Sequence, residues 1–247
     1  MNGWRTLLAG LLFATPWAWA EDLDRKLIEA VAAGDTPTVS QALEAGADAN
    51  AKDGNGNPAL FLALSRGDEE TALRLLRRGA DPKGHNAHGA PLILTAAANG
   101  LNRAVDAMLE AGADANAVFE RYGGQTALML AAEGGHAAIV ERLLQHGARV
   151  DAVNTEGESA LFAAIAAGSV EVTRRLIEAG ADVNRRSHAG YTPLHIAINE
   201  GDVQLVRILL HAGANPTITD AQGWDARRLA ETIGDPELLE ILEGRTP

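Results

Sequence analysis

The chain has 247 residues, 33 of them acidic and 21 basic, with a formal charge of −12, no cysteine and 4% aromatic side chains. Forty-seven per cent hydrophobic with 22% charged is the composition of a soluble folded protein, and the acidic balance argues against a binder that works by neutralising phosphates. No disulfide can staple the fold, and no cysteine is present to take a lipid.

In chain order, the first predicted element is a leader. Met1 to Arg5 carries one cation and no acid, Leu7 to Thr15 is apolar, and Ala18-Trp19-Ala20 ends the stretch with small residues at alternate positions. This pattern predicts a cleavable secretory signal peptide over residues 1–20. Its apolar run is well short of the roughly 20 residues that cross a bilayer, and acidic Glu21-Asp22-Leu23-Asp24 follows it. The expected product is a periplasmic or secreted protein, not inserted in a membrane and monomeric. Removing the leader takes away Trp4, Phe13, Trp17 and Trp19, so Phe61, Phe119, Phe162, Tyr122, Tyr191 and Trp224 are the remaining aromatics. They are too few to dominate a single globular core.

From there the chain repeats itself. Gly-Ala recurs at Gly46, Gly79, Gly112, Gly147, Gly180 and Gly213, in steps of 33 with a single 35. Two further series, Gly34-67-100-135-168-201-234 and Gly56-89-124-157-190-223, keep the same step and share the same exception. The two extra residues therefore fall between Gly112 and Gly124, most simply within Val118–Gly123. Such a period is the signature of a row of small structural units.

One period shows what the glycines do. Thr192 is a good N-cap and Pro193 a good first helical residue, so a helix is predicted from Pro193 to just before Gly201, where a residue without Cβ can turn left-handed. Asp202 then caps a second helix, whose Val203, Val206, Leu209 and Leu210 share one face until Gly213 stops it. Asn215–Gly223 is the turn-rich link to the next unit. Equivalent apolar residues recur at Val39, Ala72, Val105, Val140, Thr173, Val206 and Leu239, and as pairs at Leu75-Leu76, Met108-Leu109, Leu143-Leu144, Leu176-Ile177 and Leu209-Leu210. One helix pair cannot keep these dry alone, whereas stacked neighbours can. The division expected is a capping unit at 21–52, repeats at 53–83, 84–117, 118–152, 153–185 and 186–218, and a second cap at 219–247, where Glu243 replaces the second leucine of the pair.

These motifs resemble the ankyrin-repeat family. Gly-x-Thr-Pro-Leu-His-x-Ala stands complete at Gly190–Ala197, and the leucine-to-asparagine motif at Leu109–Asn116 and Leu176–Asn184. Other units are looser: Gly56–Ala63 has its proline one place early, Gly89–Ala96 lacks threonine and histidine, and Gly124–Ala131 and Gly157–Ala164 keep the cap but lose the proline. The resemblance covers Glu21 to the C-terminus. It implies an all-α solenoid of helix-turn-helix units with β-turn fingers, binding another protein through its concave, finger-lined side. Some exported bacterial proteins similar to this one are associated with peroxide defence, which implies a second reading: an accessory to a periplasmic enzyme such as a catalase.

Catalytic patterns fail on spacing. Asp53-Gly54-Asn55-Gly56-Asn57 opens like a calcium loop, but Pro58 and Leu64 occupy the places that need glycine and glutamate. His85-x-x-His88 and His188 lie three units apart and have no cysteine to complete a zinc site. His195 matches the family's structural histidine. No phosphate loop, nucleophile elbow or His-Glu-x-x-His helix occurs, so no catalytic residue, cofactor or metal is expected. Carrying the family's contact positions over places the binding surface at Tyr122, Gln125, Glu133, Glu156, Glu158, His188, Tyr191, Asn199, Glu200 and Trp224. Large aromatics are common interface anchors, and the acids call for a partner with a basic patch. Against this, Tyr191 could simply cover its own finger and Trp224 could pack on the last repeat.

Overall fold

The computed structural model describes residues 16–244. Helices come in pairs: α1 (Pro16–Ala33) and α2 (Thr36–Glu44), α3 (Ala59–Ser65) and α4 (Glu69–Arg77), α5 (Leu92–Ala98) and α6 (Asn102–Glu110). A two-stranded antiparallel hairpin, β1 (Val118–Phe119) and β2 (Gln125–Thr126), interrupts the series. The pairs then resume as α7 (Ala127–Glu133) and α8 (Ala137–Gln145), α9 (Ala160–Ala166) and α10 (Val170–Glu178), α11 (Pro193–Asn199) and α12 (Val203–His211), and α13 (Ala226–Ile233) and α14 (Pro236–Leu242). Helix α1 runs unbroken through the predicted cleavage point between Ala20 and Glu21, while Met1–Thr15 of the predicted leader lie outside the described residues.

Two parallel rows result. First helices pack on first helices (α1, α3, α5, α7, α9, α11, α13 in order), and second helices on second helices from α2 to α14. Close approach in the first row follows from one column of the sequence: Ala63, Ala96, Ala131, Ala164, Ala197 and Ala230 are all fully buried. A larger side chain there would push neighbouring helices apart. In the second row Leu75, Met108, Leu143, Leu176 and Leu209 are fully buried, but Leu76, Leu144, Ile177 and Leu210 are only half-buried. The second residue of each pair is rotated by about 100° round the helix, so it covers the rim and does not reach the core; Leu109 is the exception.

Each unit turns from one helix into the next with few residues. The predicted stops at Gly201 and Gly213 have φ of +68° and +91°. After Gly201, the Asp202 N–H reaches back to the Ala197 carbonyl (3.0 Å), closing α11, while its carboxylate accepts from Leu205 N–H (2.9 Å) and opens α12. Asp35 and Asp68 perform the same double task. Leu101 has no side chain to do so, and Glu69 of the preceding unit supplies the cap by accepting from Arg103 and Ala104 N–H. Loops are clamped across units as well: the Asn50, Asn116 and Asn184 amides each donate to a glycine carbonyl of the next loop and accept a backbone N–H there.

One buried group is out of keeping. Thr173 occupies the column that is otherwise Val39, Ala72, Val105, Val140, Val206 and, half-buried in the last helix, Leu239; it is fully buried, and its hydroxyl has no hydrogen-bond partner. Desolvating that hydroxyl without compensation costs about 1–3 kcal/mol. Thr173→Val keeps the shape and removes the cost, so a gain of about 1 kcal/mol is expected, read as a thermal midpoint about 2–4 °C higher.

Candidate functional site

Four of the fingers are built from the residue that opens them, while Ser187, which opens the finger at 187–191, leaves its hydroxyl without a partner. In Asp53, Asn86, Asn154 and Asp220 a single side-chain oxygen accepts two N–H groups, two and four residues on, at 2.9 Å. Asp53 is thus committed to its own turn, which accounts for its calcium-like spacing without a metal. Burial of this carboxyl opposes its charge, but the donors Asn57 and Asn55 outweigh that and hold its pKa below the ordinary carboxylate value. The stabilisation is therefore present above the unfolded carboxylate's range, around pH 4, and is lost as pH falls through the lowered folded value. Asp53→Asn, which keeps an accepting oxygen as Asn86 and Asn154 do, is expected to flatten this part of the acid-unfolding curve and leave the neutral-pH melt nearly unchanged.

Successive fingers are tied edge to edge: Thr155 N–H donates to the Gly123 carbonyl (2.8 Å), His188 N–H to Glu156 (2.8 Å) and Ala221 N–H to Ala189 (3.2 Å). The contact is close. A Cβ on Gly190, at φ +82°, would lie 2.7 Å from the Ala221 nitrogen, so this place needs glycine for approach as well as for conformation.

The lengthened step forms a finger of its own kind. Its two extra residues make the β1–β2 hairpin, with Val118 opposite Thr126 and Phe119 opposite Gln125, and a 3-10 turn at Glu120–Tyr122. Tyr122 stacks on Phe119, ring centroids 5.3 Å apart and planes 18° from parallel, yet is 73% exposed. Beside it, between the hairpin and the loop 149–155, lies a shallow groove of about 740 Å³ lined by Val118, Glu120, Arg149, Val150 and Val153 among others. Val153 is 43% exposed.

The other two finger aromatics are occupied internally. Tyr191 is half-buried and meets the His195 ring edge-on at 6.2 Å. His195 itself is 1% exposed. Its Nδ1 accepts from the Thr192 N–H (3.2 Å) and lies 2.7 Å from the Thr192 hydroxyl, which assigns the proton to Nε2, donated to the Trp224 carbonyl at 3.1 Å. This histidine closes its own helix start and ties the next finger to it. The Trp224 ring is half-buried, with the Arg228 guanidinium 5.1 Å from its centroid.

Of the expected contact residues, Tyr122, Gln125, Glu156, Glu158, His188, Tyr191 and Trp224 lie along the fingers, and Glu133, Asn199 and Glu200 at the ends of α7 and α11. Tyr122, Glu133, Glu156, His188, Asn199 and Glu200 are exposed, while Gln125, Glu158, Tyr191 and Trp224 are half-buried. Phe119, Glu120 and Val153 were not among the expected residues. Phe119 had a readable signal, an aromatic beside the lone 35-residue step; Val153 had none. His85 and His88 join no metal-holding group, and no cluster of three or more potential ligands occurs among the described residues. No helix of the described residues is long and apolar enough to cross a membrane.

Charge is handled differently on the two rows. Many second-row acids are paired, often across units: Glu70 with Arg74 and Arg103, Asp106 with Arg142, Glu141 and Glu171 with Arg175, Glu237 with Arg207, while Glu110, Glu178 and Glu240 stand exposed without an ion pair. On the fingers and first-helix ends Glu120, Glu133, Glu156, Glu158 and Glu200 have no ion pair; among the exposed finger cations, Arg121 sits in the hairpin turn beside Glu120 and Arg186 is engaged by the Thr219 and Gly190 carbonyls.

A family model described as ankyrin repeats (3 copies) matches three overlapping stretches, residues 27–119, 92–187 and 128–220. The chain belongs to the ankyrin-repeat family. Among solved structures, the ankyrin repeat domain of human ASB11 is similar at 28% sequence identity with a TM-score of 0.77, covering 90% of this chain and 97% of that one. No curated protein matches the sequence. Ankyrin repeats are in general protein-interaction modules and their fold is typically a non-enzymatic scaffold, which fits the finger row and first-helix face seen here.

Proposed function

We propose that this is an exported ankyrin-repeat module that binds another protein through its fingers and the exposed face of its first helices, as a single copy and without chemistry of its own. The observation that carries the reading is Tyr122: a large aromatic held on the longest finger by Phe119 and still 73% exposed. A ring already fixed in place loses little rotamer freedom on binding. The unpaired acids beside it favour a partner whose facing surface is basic. Export rests on the leader pattern of residues 1–20; fractionation is expected to find the chain outside the cytoplasm with its N-terminus at Glu21, and full-length cytoplasmic protein would contradict it.

Affinity capture with the mature chain, followed by mass spectrometry, tests the binding. A defined partner is expected with the wild type and is expected to be lost with Tyr122→Ala combined with Asn199→Ala, two exposed changes that leave the circular dichroism spectrum intact. An identical set of captured proteins for both would remove this surface from consideration.

A further inference from the structure

Resting on that reading, we infer what the central inner face takes: a basic protein segment carrying a lysine or arginine whose stem lies across α9. Two separate features of the structure meet at that place. The first is shape. Along the exposed side of the first helices Leu130 and Glu133 of α7 and Ile196 and Asn199 of α11 are large, whereas the intervening unit presents Ala163, Ala166 and Ala167. The floor is therefore lower across one unit, a width of about 8–10 Å at ordinary helix spacing, between the half-buried side chains of Leu130 and Ile196.

The second feature is charge. Glu133 borders the dip on one side, Glu200 on the other, and Glu156 and Glu158 stand on the finger above it. None of the four has an ion-pair partner, whereas the second helices of the same units, α8, α10 and α12, carry Arg142, Arg175 and Arg207, which pair with Asp106, Glu141, Glu171 and Glu237. Uncompensated acids facing one side give that side a negative potential, while on the opposite side the arginines answer most of the neighbouring acids. A long cationic side chain suits such a place because its methylenes cover apolar floor while its head reaches the carboxylates. An acidic or purely apolar segment would leave those four charges facing a surface that cannot answer them.

The test uses the mature chain and a short lysine–alanine peptide with one central leucine, titrated calorimetrically at low and at physiological salt. Two triple variants make the same change in net charge: Glu133→Gln with Glu158→Gln and Glu200→Gln on the inner face, and Glu110→Gln with Glu178→Gln and Glu240→Gln on the second helices. The inner triple is expected to weaken binding roughly tenfold and to lower its salt dependence, with the outer triple within about twofold of wild type. Ala166→Trp, which fills the dip without altering charge, is expected to weaken binding as well. Equal weakening by the two triples, or no binding by the wild type, overturns the inference. A captured natural partner that is lost with Tyr122→Ala but retained by the inner triple overturns it too, and leaves the proposed function standing.

Discussion

Leu143→Ala is expected to destabilise the chain by about 2–5 kcal/mol, measured as a fall in the urea midpoint followed by far-UV circular dichroism. Leu143 is fully buried in α8, and α8 packs on α6 before it and α10 after it. The lost side chain leaves a void that neighbours on both sides line. They relax into it only in part, since α6, α8 and α10 are packed in one row and joined by Asp106–Arg142, Glu141–Arg175 and the loop clamps of Asn116. Leu144→Ala, one residue on and half-exposed, removes the same atoms from a rim position and is expected to cost clearly less. Leu238→Ala, as fully buried as Leu143 but in the final helix with a second-row neighbour on one side only, should also fall below Leu143→Ala. That ordering follows from a row in which stability is a sum of unit and interface contributions; a single indivisible core would not make the end unit cheaper to damage.

For Tyr122→Ala the expected loss is in binding and not in folding. A central aromatic anchor is worth about 2 kcal/mol or more, roughly a thirtyfold rise in Kd. The thermal midpoint should stay within about 1–2 °C of wild type, since substitutions at exposed surface sites are usually within about 0.5 kcal/mol. Trp224→Ala should behave in the opposite sense. Its ring is half-buried under Arg228, so its removal exposes the last finger and lowers stability first. Comparing the two variants by surface plasmon resonance and by thermal melt separates an anchor from a packing residue. A Tyr122→Ala protein that binds as tightly as wild type would withdraw the anchor role from the hairpin.

Much of this architecture was legible in the sequence because its determinants are local and periodic. Gly201 and Gly213 mark stops, Thr192-Pro193 and Asp202 mark starts, and each of these reads the same wherever it occurs. The alanine column and the buried leucines follow from the register of the period. The limits of the pattern lie where a contact spans units or departs from the repeat. Nothing in Val118–Gly123 states that two inserted residues fold into a hairpin with Phe119 under Tyr122, because an insertion has no equivalent in the neighbouring units. Arg142 reaching Asp106 and Arg175 reaching Glu141 depend on side-chain reach across the stack, so the contrast between these paired acids and the unpaired Glu133, Glu156, Glu158 and Glu200 is invisible to a reading of one unit at a time. Among the aromatics, position placed Tyr122, Tyr191 and Trp224 all on fingers and left open whether Tyr191 and Trp224 pack locally. Burial separates them: Tyr191 is half-buried against the His195 ring and Trp224 half-buried under Arg228, while Tyr122, stacked on Phe119 of its own finger, is 73% exposed.

Hydrogen–deuterium exchange of the mature chain, alone and with its captured partner, tests the proposed surface most directly. Protection on binding is expected at amides of the 118–126 hairpin, the fingers at 154–158 and 187–191, and the C-terminal ends of α7, α9 and α11, with the second helices α8, α10 and α12 unchanged. Protection confined to those second helices, with the fingers exchanging as in the free chain, would contradict the account.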